Sequence, residues 1–338
     1  MRIDRGRIAA CLRANYGVTV ASIEELGLGH DAEAAVYRVE ATDGRAYFLK
    51  LRSGPPDEAS IDVPRFLHER AGIDAVVAPL PTTTGAPWGV VETHSALLYP
   101  YLPGRNGFAG GLSRDQWTRL GTALRQIHAA TVPPDLQAAL RVERFVPAEK
   151  WIAPLRAVLA GEHRRRSRDA IAEEAAVLLA ERHAEIATLL ARTEALGRQV
   201  QQRPVDRVLC HADIHLGNVL VGDDGRLHLV DWDQPVLAPR ECDLMLLFGT
   251  AVGGFARGSA EELAFRVGYG SVEPDPLAMA YYYHERATTD IGAFAHEIFW
   301  LRGASDDARR GAVRWLAVLF EPVRSVEAAH QAFARLPA

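Results

Sequence analysis

Cysteine is scarce: Cys11, Cys210 and Cys242 are the only three in 338 residues. They lie too far apart for a disulfide framework or a CxxC zinc pair, which points to a reducing, cytoplasmic compartment. Positive charge is not in excess either. With 38 Lys and Arg against 43 Asp and Glu, the net charge is −5, so neither a nucleic-acid nor a membrane partner is expected. The longest apolar stretch, near residues 244–254, falls short of the roughly 20 residues a spanning helix needs. Met1-Arg2-Ile3-Asp4-Arg5 places charges where a secretory apolar core would have to form, so no signal peptide is expected. Repeats and low-complexity tracts are missing. What is there is 48% apolar and 24% charged residues, the composition of a packed chain of about two domains. The oligomeric state is left open.

The first hundred residues read as strand-rich. Two β-prone runs, 34–39 and 47–51, flank Thr42-Asp43-Gly44-Arg45, a hairpin signal. A helix is expected over Asp57–Ala71, with Pro64 lowering its regularity, and further strands over 76–80 and 88–92. An apolar strand from Ala96 runs into Tyr99-Pro100-Tyr101-Leu102-Pro103-Gly104, a Pro/Gly-bounded connector of the kind that joins lobes. Beyond it the pattern turns helical. Ser113-Arg114-Asp115-Gln116 is a capping box, and Trp117, Leu120, Leu124 and Ile127 share a helical face. Residues 148–200 read as one or two helices. The basic run His163–Arg168 reads as a solvated helix end or loop. Residues 205–235 return to strand and turn, and the rest is helical with a Pro-rich break at 273–276.

The chemistry sits in His211-Ala212-Asp213-Ile214-His215-Leu216-Gly217-Asn218, followed by Val230-Asp231-Trp232-Asp233. A strand ending at Cys210 should present Asp213 and Asn218 on a polar loop. A hairpin through Asp224-Gly225 should then return Asp231 to the same end of a small sheet. Mg²⁺ takes hard oxygen ligands, few from protein and the rest from phosphate and water. An Asn and an Asp on rigid strands, beside a second Asp free to take a proton, suit phosphoryl transfer. His211 and His215 could instead ligate zinc with Cys210 or His228, but their spacing falls in a Gly-containing loop. A purely structural role for these acidic turn residues is the other alternative.

The order His-x-Asp, Asn five residues on, and Asp-Trp further down resembles the protein-kinase signature. It is still more similar to the aminoglycoside phosphotransferase and choline-kinase superfamily. The resemblance implies an α+β, bilobal, protein-kinase-like fold: a nucleotide-binding lobe over 1–98, a hinge over 99–104, and a catalytic, substrate-binding lobe over 105–338. It implies an ATP- and Mg²⁺-dependent small-molecule phosphotransferase with Asp213 catalytic and Asn218 and Asp231 on the metal. It also implies that Lys50 holds phosphates and that Glu58 is its acidic partner, with Asp62 and Glu69 as alternatives. The adenine would lie along Leu98, Tyr99, Tyr101 and Leu102, and a phosphate-covering loop would lie at Gly29 and His30. His211 is expected to bind backbone near the second metal carboxylate, and Asp243 to cap a helix starting at Leu244.

Further stretches, including Thr82-Thr83-Thr84-Gly85, Pro103–Phe108 and Trp232–Leu244, are similar to the branch of the superfamily that modifies aminocyclitol antibiotics. Such acceptors are cationic and rich in hydroxyls, so carboxylates and an aromatic wall are expected around them. Asp233, Glu241, Tyr282, Arg286 and Asp290 are the candidates. Arg286 and Asp290 would equally make an i,i+4 ion pair on a core helix. Other acceptors (choline, homoserine, methylthioribose, a macrolide) and a non-catalytic nucleotide-binding relative are the rival readings. A protein kinase is disfavoured, because Ala238-Pro239-Arg240-Glu241 only echoes an Ala-Pro-Glu segment.

Overall fold

The computed structural model describes residues 3–27, 34–166, 169–249 and 254–337. In chain order the elements are α1 (Arg5–Tyr16), β1 (Val20–Leu26), β2 (Ala34–Ala41), β3 (Ala46–Ser53), α2 (Ala59–Arg65), β4 (Gly89–Val91), β5 (His94–Pro100) and β6 (Gly104–Asn106). They continue with α3 (Arg114–Ala129), α4 (Pro134–Ala139), β7 (Arg141–Val142), α5 (Glu149–Leu159), α6 (Ala170–Glu181), α7 (His183–Gln201), β8 (Val208–Cys210), β9 (Val219–Gly222) and β10 (Leu227–Leu229). The last are β11 (Val236–Ala238), α8 (Glu241–Leu247), α9 (Ala260–Tyr269), α10 (Pro276–Phe299), α11 (Asp306–Val318) and α12 (Ser325–Ala334). The chain is α+β and forms two compact units. One is Met1–Arg141 with His211–Pro235; the other is Val142–Cys210 with Val236–Ala338. These units group residues 105–141 and 211–235 with the N-terminal sheet, so their limits differ from a division at 99–104.

The first unit is built on an antiparallel sheet in the order β1-β2-β3-β5-β4. The expected hairpin joins β2 to β3, with the Gly44 N–H donating to the Ala41 carbonyl at 3.0 Å. Strand alternation sorts β3 into two faces. Tyr47, Leu49 and Leu51 are buried with Ile8, Leu12, Val39 and Leu98, while Phe48, Lys50 and Arg52 point to the other side. α1 supplies part of that core. Asp4 caps its first turn and Gly17, at φ +66°, ends it, so a helix stands inside the region whose composition predicts strands. α2 carries Pro64, whose missing N–H leaves the Ser60 carbonyl without its helical bond, and a single π-turn over Phe66–Arg70 follows it. The strand expected over 76–80 is not one. Val76 makes an isolated bridge to Leu229, and the Val77 N–H donates to the Leu229 carbonyl.

A second sheet, β10-β9-β6, carries the loop that matters for chemistry. β6 pairs with β9 through Gly104↔Gly222, Arg105↔Val221 and Asn106↔Leu220. At Gly104, φ is +150° and an added Cβ would sit 2.2 Å from the Val221 carbonyl oxygen. Gly104→Ala must therefore push two backbones apart. We expect it to lower stability by about 2–4 kcal/mol, read as a shifted denaturant midpoint. An unchanged midpoint would refute this account of the pairing.

In the second unit α10 is the central helix. Ala287, Ile291, Ala295 and Ile298 pack among Ile152, Leu155, Ile186 and Leu189 and against α11 and α12. Asp275 caps it, accepting from the Leu277 and Ala278 N–H groups, with Pro276 at the first position. α8 starts at Glu241, not Leu244, so Asp243 lies inside the helix rather than capping it. Residues 149–201 hold three helices, α5 to α7, rather than one or two. His163 is buried, unlike the solvated basic run expected around it, and residues 167–168 lie outside the described residues.

His284 on α10 is fully buried. Its Nδ1 lies 2.8 Å from the Ala280 carbonyl, and Nε2 has no hydrogen-bond partner among the described residues. Burial first, with Arg192 and His330 adding to it, pushes its pKa from 6.5 down to about 4. The folded state thus refuses a proton that the unfolded chain accepts. Stability is fully present above pH 6.5 and is lost as the pH falls toward 4, by about 3 kcal/mol. The expected result is a Tm that falls through this window in the parent and falls less in His284→Gln. Parallel Tm profiles would contradict it.

Candidate active site

The loop after β8 folds around its own polar groups. The His211 Nε2 donates to the Val230 carbonyl at 3.0 Å, and its Nδ1 accepts from the Asp213 N–H at 3.2 Å. The ring lies 4.4 Å from the Trp232 ring and is 1% exposed. Both nitrogens hold backbone, as expected of a structural histidine, and the zinc reading finds no support here. The Asn218 Nδ2 donates to the Asp213 carbonyl at 2.9 Å and to its carboxylate at 3.3 Å, so Oδ1 is the amide's acceptor atom. The Val230 N–H donates to the Asn218 carbonyl at 3.1 Å, which brings the residue before Asp231 alongside Asn218. Ala212 and Asp231 both adopt left-handed backbone, at φ +70° and +67°. That geometry costs a non-glycine residue of order 1 kcal/mol or more, and it flanks the two carboxylates in question.

Asp231 meets the first sheet. Its carboxylate accepts from the Lys50 Nζ at 2.8 Å. Asp233 accepts from the same Nζ at 2.8 Å and from Arg52 Nη1 at 2.9 Å. Lys50 and Arg52 are two residues apart on β3 and share a face, which is why one carboxylate reaches both. The Lys50 side chain is only 12% exposed. Burial alone would push its pKa down, but Asp231 and Asp233 together outweigh it and hold the ammonium above the ordinary lysine value. The site therefore offers a fixed cation, two oxygen donors of the type Mg²⁺ takes (Asn218 Oδ1 and the Asp231 carboxylate), and a nearby carboxylate, Asp213.

Several expected residues stand elsewhere. Glu58 is the exposed N-cap position of α2, and Asp62 and Glu69 are exposed too. Among the described residues, the acidic partners of Lys50 are Asp231 and Asp233 instead. Asp233 thus pairs with Lys50 and Arg52 rather than lining an acceptor wall. Leu98 is buried in the sheet core, and its carbonyl accepts from the Leu80 N–H at 2.7 Å. Tyr99 lies within β5, edge-on to Phe48 at 6.2 Å. Tyr101 and Leu102 are half-buried past the strand end, with the Arg38 guanidinium 4.9 Å from the Tyr101 ring. Gly29 and His30 lie outside the described residues.

In the second unit, Glu241 is buried and accepts the Asp275 N–H at 2.9 Å, holding the start of α10 rather than facing an acceptor. Tyr282 is buried, 2% exposed, against the Phe145 and Tyr281 rings and forms no open wall. Arg286 and Asp290 make the i,i+4 ion pair, at 2.9 Å. Arg52 was missed from the sequence, although its i+2 spacing from Lys50 on a strand was a usable signal. Phe108, which the sequence marks only as the end of the Pro103–Phe108 stretch, also belongs to this region. Its ring stacks on His215 with centroids 5.6 Å apart.

The phosphotransferase enzyme family profile (APH) matches residues 24–282. No curated protein matches the chain. Among solved structures, spectinomycin phosphotransferase APH(9)-Ia in complex with ADP and spectinomycin is 29% identical, with a TM-score of 0.85 over 98% of this chain and 99% of that one. The AMP-bound complex of the same enzyme is 28% identical, with a TM-score of 0.81 over 99% and 100%. Amicoumacin kinase hAmiN, in complex with AMP-PNP, Ca²⁺ and Ami, is 19% identical with a TM-score of 0.61 over 95% of each chain, and shows the shared fold alone.

Proposed function

The chain belongs to the phosphotransferase enzyme family, whose members phosphorylate small molecules, and on that premise we propose that it transfers the γ-phosphoryl group of ATP to a hydroxyl of an aminocyclitol antibiotic such as spectinomycin. One observation carries this reading: Lys50 on β3 and Asp231 beyond β10 meet at 2.8 Å, and Asn218, whose carbonyl accepts the Val230 N–H, donates its amide to Asp213. These are the groups phosphoryl transfer needs, gathered from residues 50, 213, 218 and 231.

In this reading, Lys50 leaves its carboxylates to hold the donor phosphates as a point charge. Asn218 and Asp231 would hold Mg²⁺, which would supply positive charge against the donor phosphates. Asp213 orients the acceptor hydroxyl and accepts its proton. A loose transition state asks for alignment more than for a strong base. Tyr101 and Leu102, past the end of β5, receive the adenine. Functionally the chain then divides into a nucleotide-binding part over 1–98, a connector over 99–104, and a catalytic and acceptor-binding part over 105–338. No helix among the described residues is long and apolar enough to cross a membrane, and a cytoplasmic place of action is part of the proposal.

The test is transfer of labelled phosphate from ATP by the purified protein. Spectinomycin and other aminocyclitols would be run beside choline, homoserine, methylthioribose and a macrolide, with the product mass confirming the acceptor. Phosphorylation of spectinomycin is expected. Turnover of another acceptor only would overturn the antibiotic assignment, and no transfer to any acceptor would overturn the enzymatic one.

A further inference from the structure

The loop from Asp213 to Asn218 holds a polar side chain with no part in the chemistry above, His215. Its Nδ1 accepts the Gly217 N–H at 2.9 Å. A neutral imidazole that accepts at Nδ1 carries its proton on Nε2. That Nε2 lies 3.6 Å from Asp213 Oδ2, the same oxygen that faces the Asn218 amide at 3.3 Å. The distance is longer than a hydrogen bond, and contacts of this kind in ligand-free enzymes tighten when substrate binds.

The ring is also held from outside. Phe108 is 54% exposed, yet its ring stacks on the imidazole at 22° between planes. Phe108 is placed there by β6, because the next residue after that strand, Gly107, donates its N–H to the Leu216 and Val219 carbonyls at 2.9 and 2.8 Å. The packing leaves no slack. A Cβ added at Gly217 would lie 2.6 Å from His215 Cε1 and 2.9 Å from Phe108 Cε2. An imidazole capped on one nitrogen, stacked on one face and aimed at a carboxylate with the other nitrogen is more than a loop filler.

We propose that His215 is a positioning residue for Asp213. Its Nε2–H, with the Asn218 amide, sets the rotation of the Asp213 carboxylate and so selects the oxygen presented to the acceptor hydroxyl, while Phe108 clamps the ring. This rests on the phosphotransfer reading above.

The test uses two variants of the full chain that divide the two nitrogens between them. His215→Asn keeps an acceptor near the Nδ1 position and removes the donor to Asp213. His215→Gln keeps a donor near the Nε2 position and removes the Gly217 cap. Expected are a kcat about tenfold lower for His215→Asn with KM for ATP within about twofold of the parent, and recovery of most of kcat in His215→Gln despite a lower Tm. A parent-like His215→Asn, a His215→Gln no better than His215→Asn, or a loss confined to KM would overturn the proposal. A second measurement needs no acceptor. Long-range ¹H–¹⁵N spectra of the ligand-free chain at alkaline pH, with the ring assigned by its loss in His215→Asn, should show the proton on Nε2 and a shift of that resonance in Asp213→Asn. A proton on Nδ1, or no response to Asp213→Asn, would overturn it even if no acceptor is turned over. A parent that transfers no phosphate while the spectra agree would instead count against the phosphotransfer reading alone.

Discussion

Asp213→Ala is expected to lower kcat by about three orders of magnitude while ATP binding stays near that of the parent. The structure separates the two effects. The Asp213 carboxylate touches Asn218 and faces His215, whereas Lys50, the group proposed to hold phosphates, is paired with Asp231 and Asp233. Removing Asp213 therefore takes away the group that aligns the acceptor hydroxyl and leaves the cation in place. Steady-state kinetics in saturating ATP, with calorimetric titration of ATP, read the two separately. An unchanged kcat would remove Asp213 from the mechanism. Equal damage to kcat and to ATP affinity would assign it to the nucleotide site instead. Because Asn218 shares the carboxylate, the double variant with Asn218→Ala should fall short of the sum of the single losses.

Lys50→Ala should reduce kcat/KM for ATP by about a hundredfold or more, with Lys50→Arg a poor substitute. The Lys50 ammonium is a compact point charge that meets Asp231 and Asp233 at 2.8 Å each, and the planar fork of Arg presents its donors in a different geometry. The deletion also takes the ammonium from two carboxylates and leaves the Arg52 guanidinium beside Asp233, so a lower Tm should accompany the kinetic loss. Arg52→Ala, which keeps the ammonium, should cost far less in kcat/KM. Equal losses in Lys50→Ala and Arg52→Ala would mean that the cluster acts as general positive charge and not through Lys50.

The parts of this fold that were legible in the sequence are those decided locally. The β2–β3 hairpin announces itself through Asp43-Gly44 between alternating strands, and Ser113 and Gln116 do form the capping box at the start of α3. The loop holding Asp213 and Asn218 was legible because its polar residues stand within a few positions of each other. What stayed hidden depends on distant packing. Lys50 and Asp231 are 181 residues apart, and nothing near Lys50 says that its partners are carboxylates from the far hairpin rather than the next helix. Glu241 looked like a charge for a cationic acceptor, yet it is a buried receptor for one backbone N–H. α1 was overlooked even though Asp4 and Gly17 mark its ends, because only Ile8, Cys11 and Leu12 are buried in it and so short a stripe gives little periodicity to read.

The way the chain weaves between its two units bears on how it is made. A ribosome releases residues 1–141 first, but β9, the neighbour that β6 needs, sits at Val219–Gly222. Until residues 211–235 emerge, the nascent polypeptide carries an open strand edge. Closing it then requires a long loop, the slow kind of step during which aggregation competes with folding. A fragment stopping near residue 141 should therefore be insoluble or depend on chaperones, whereas a circular permutant that delivers 211–235 early should gain soluble yield.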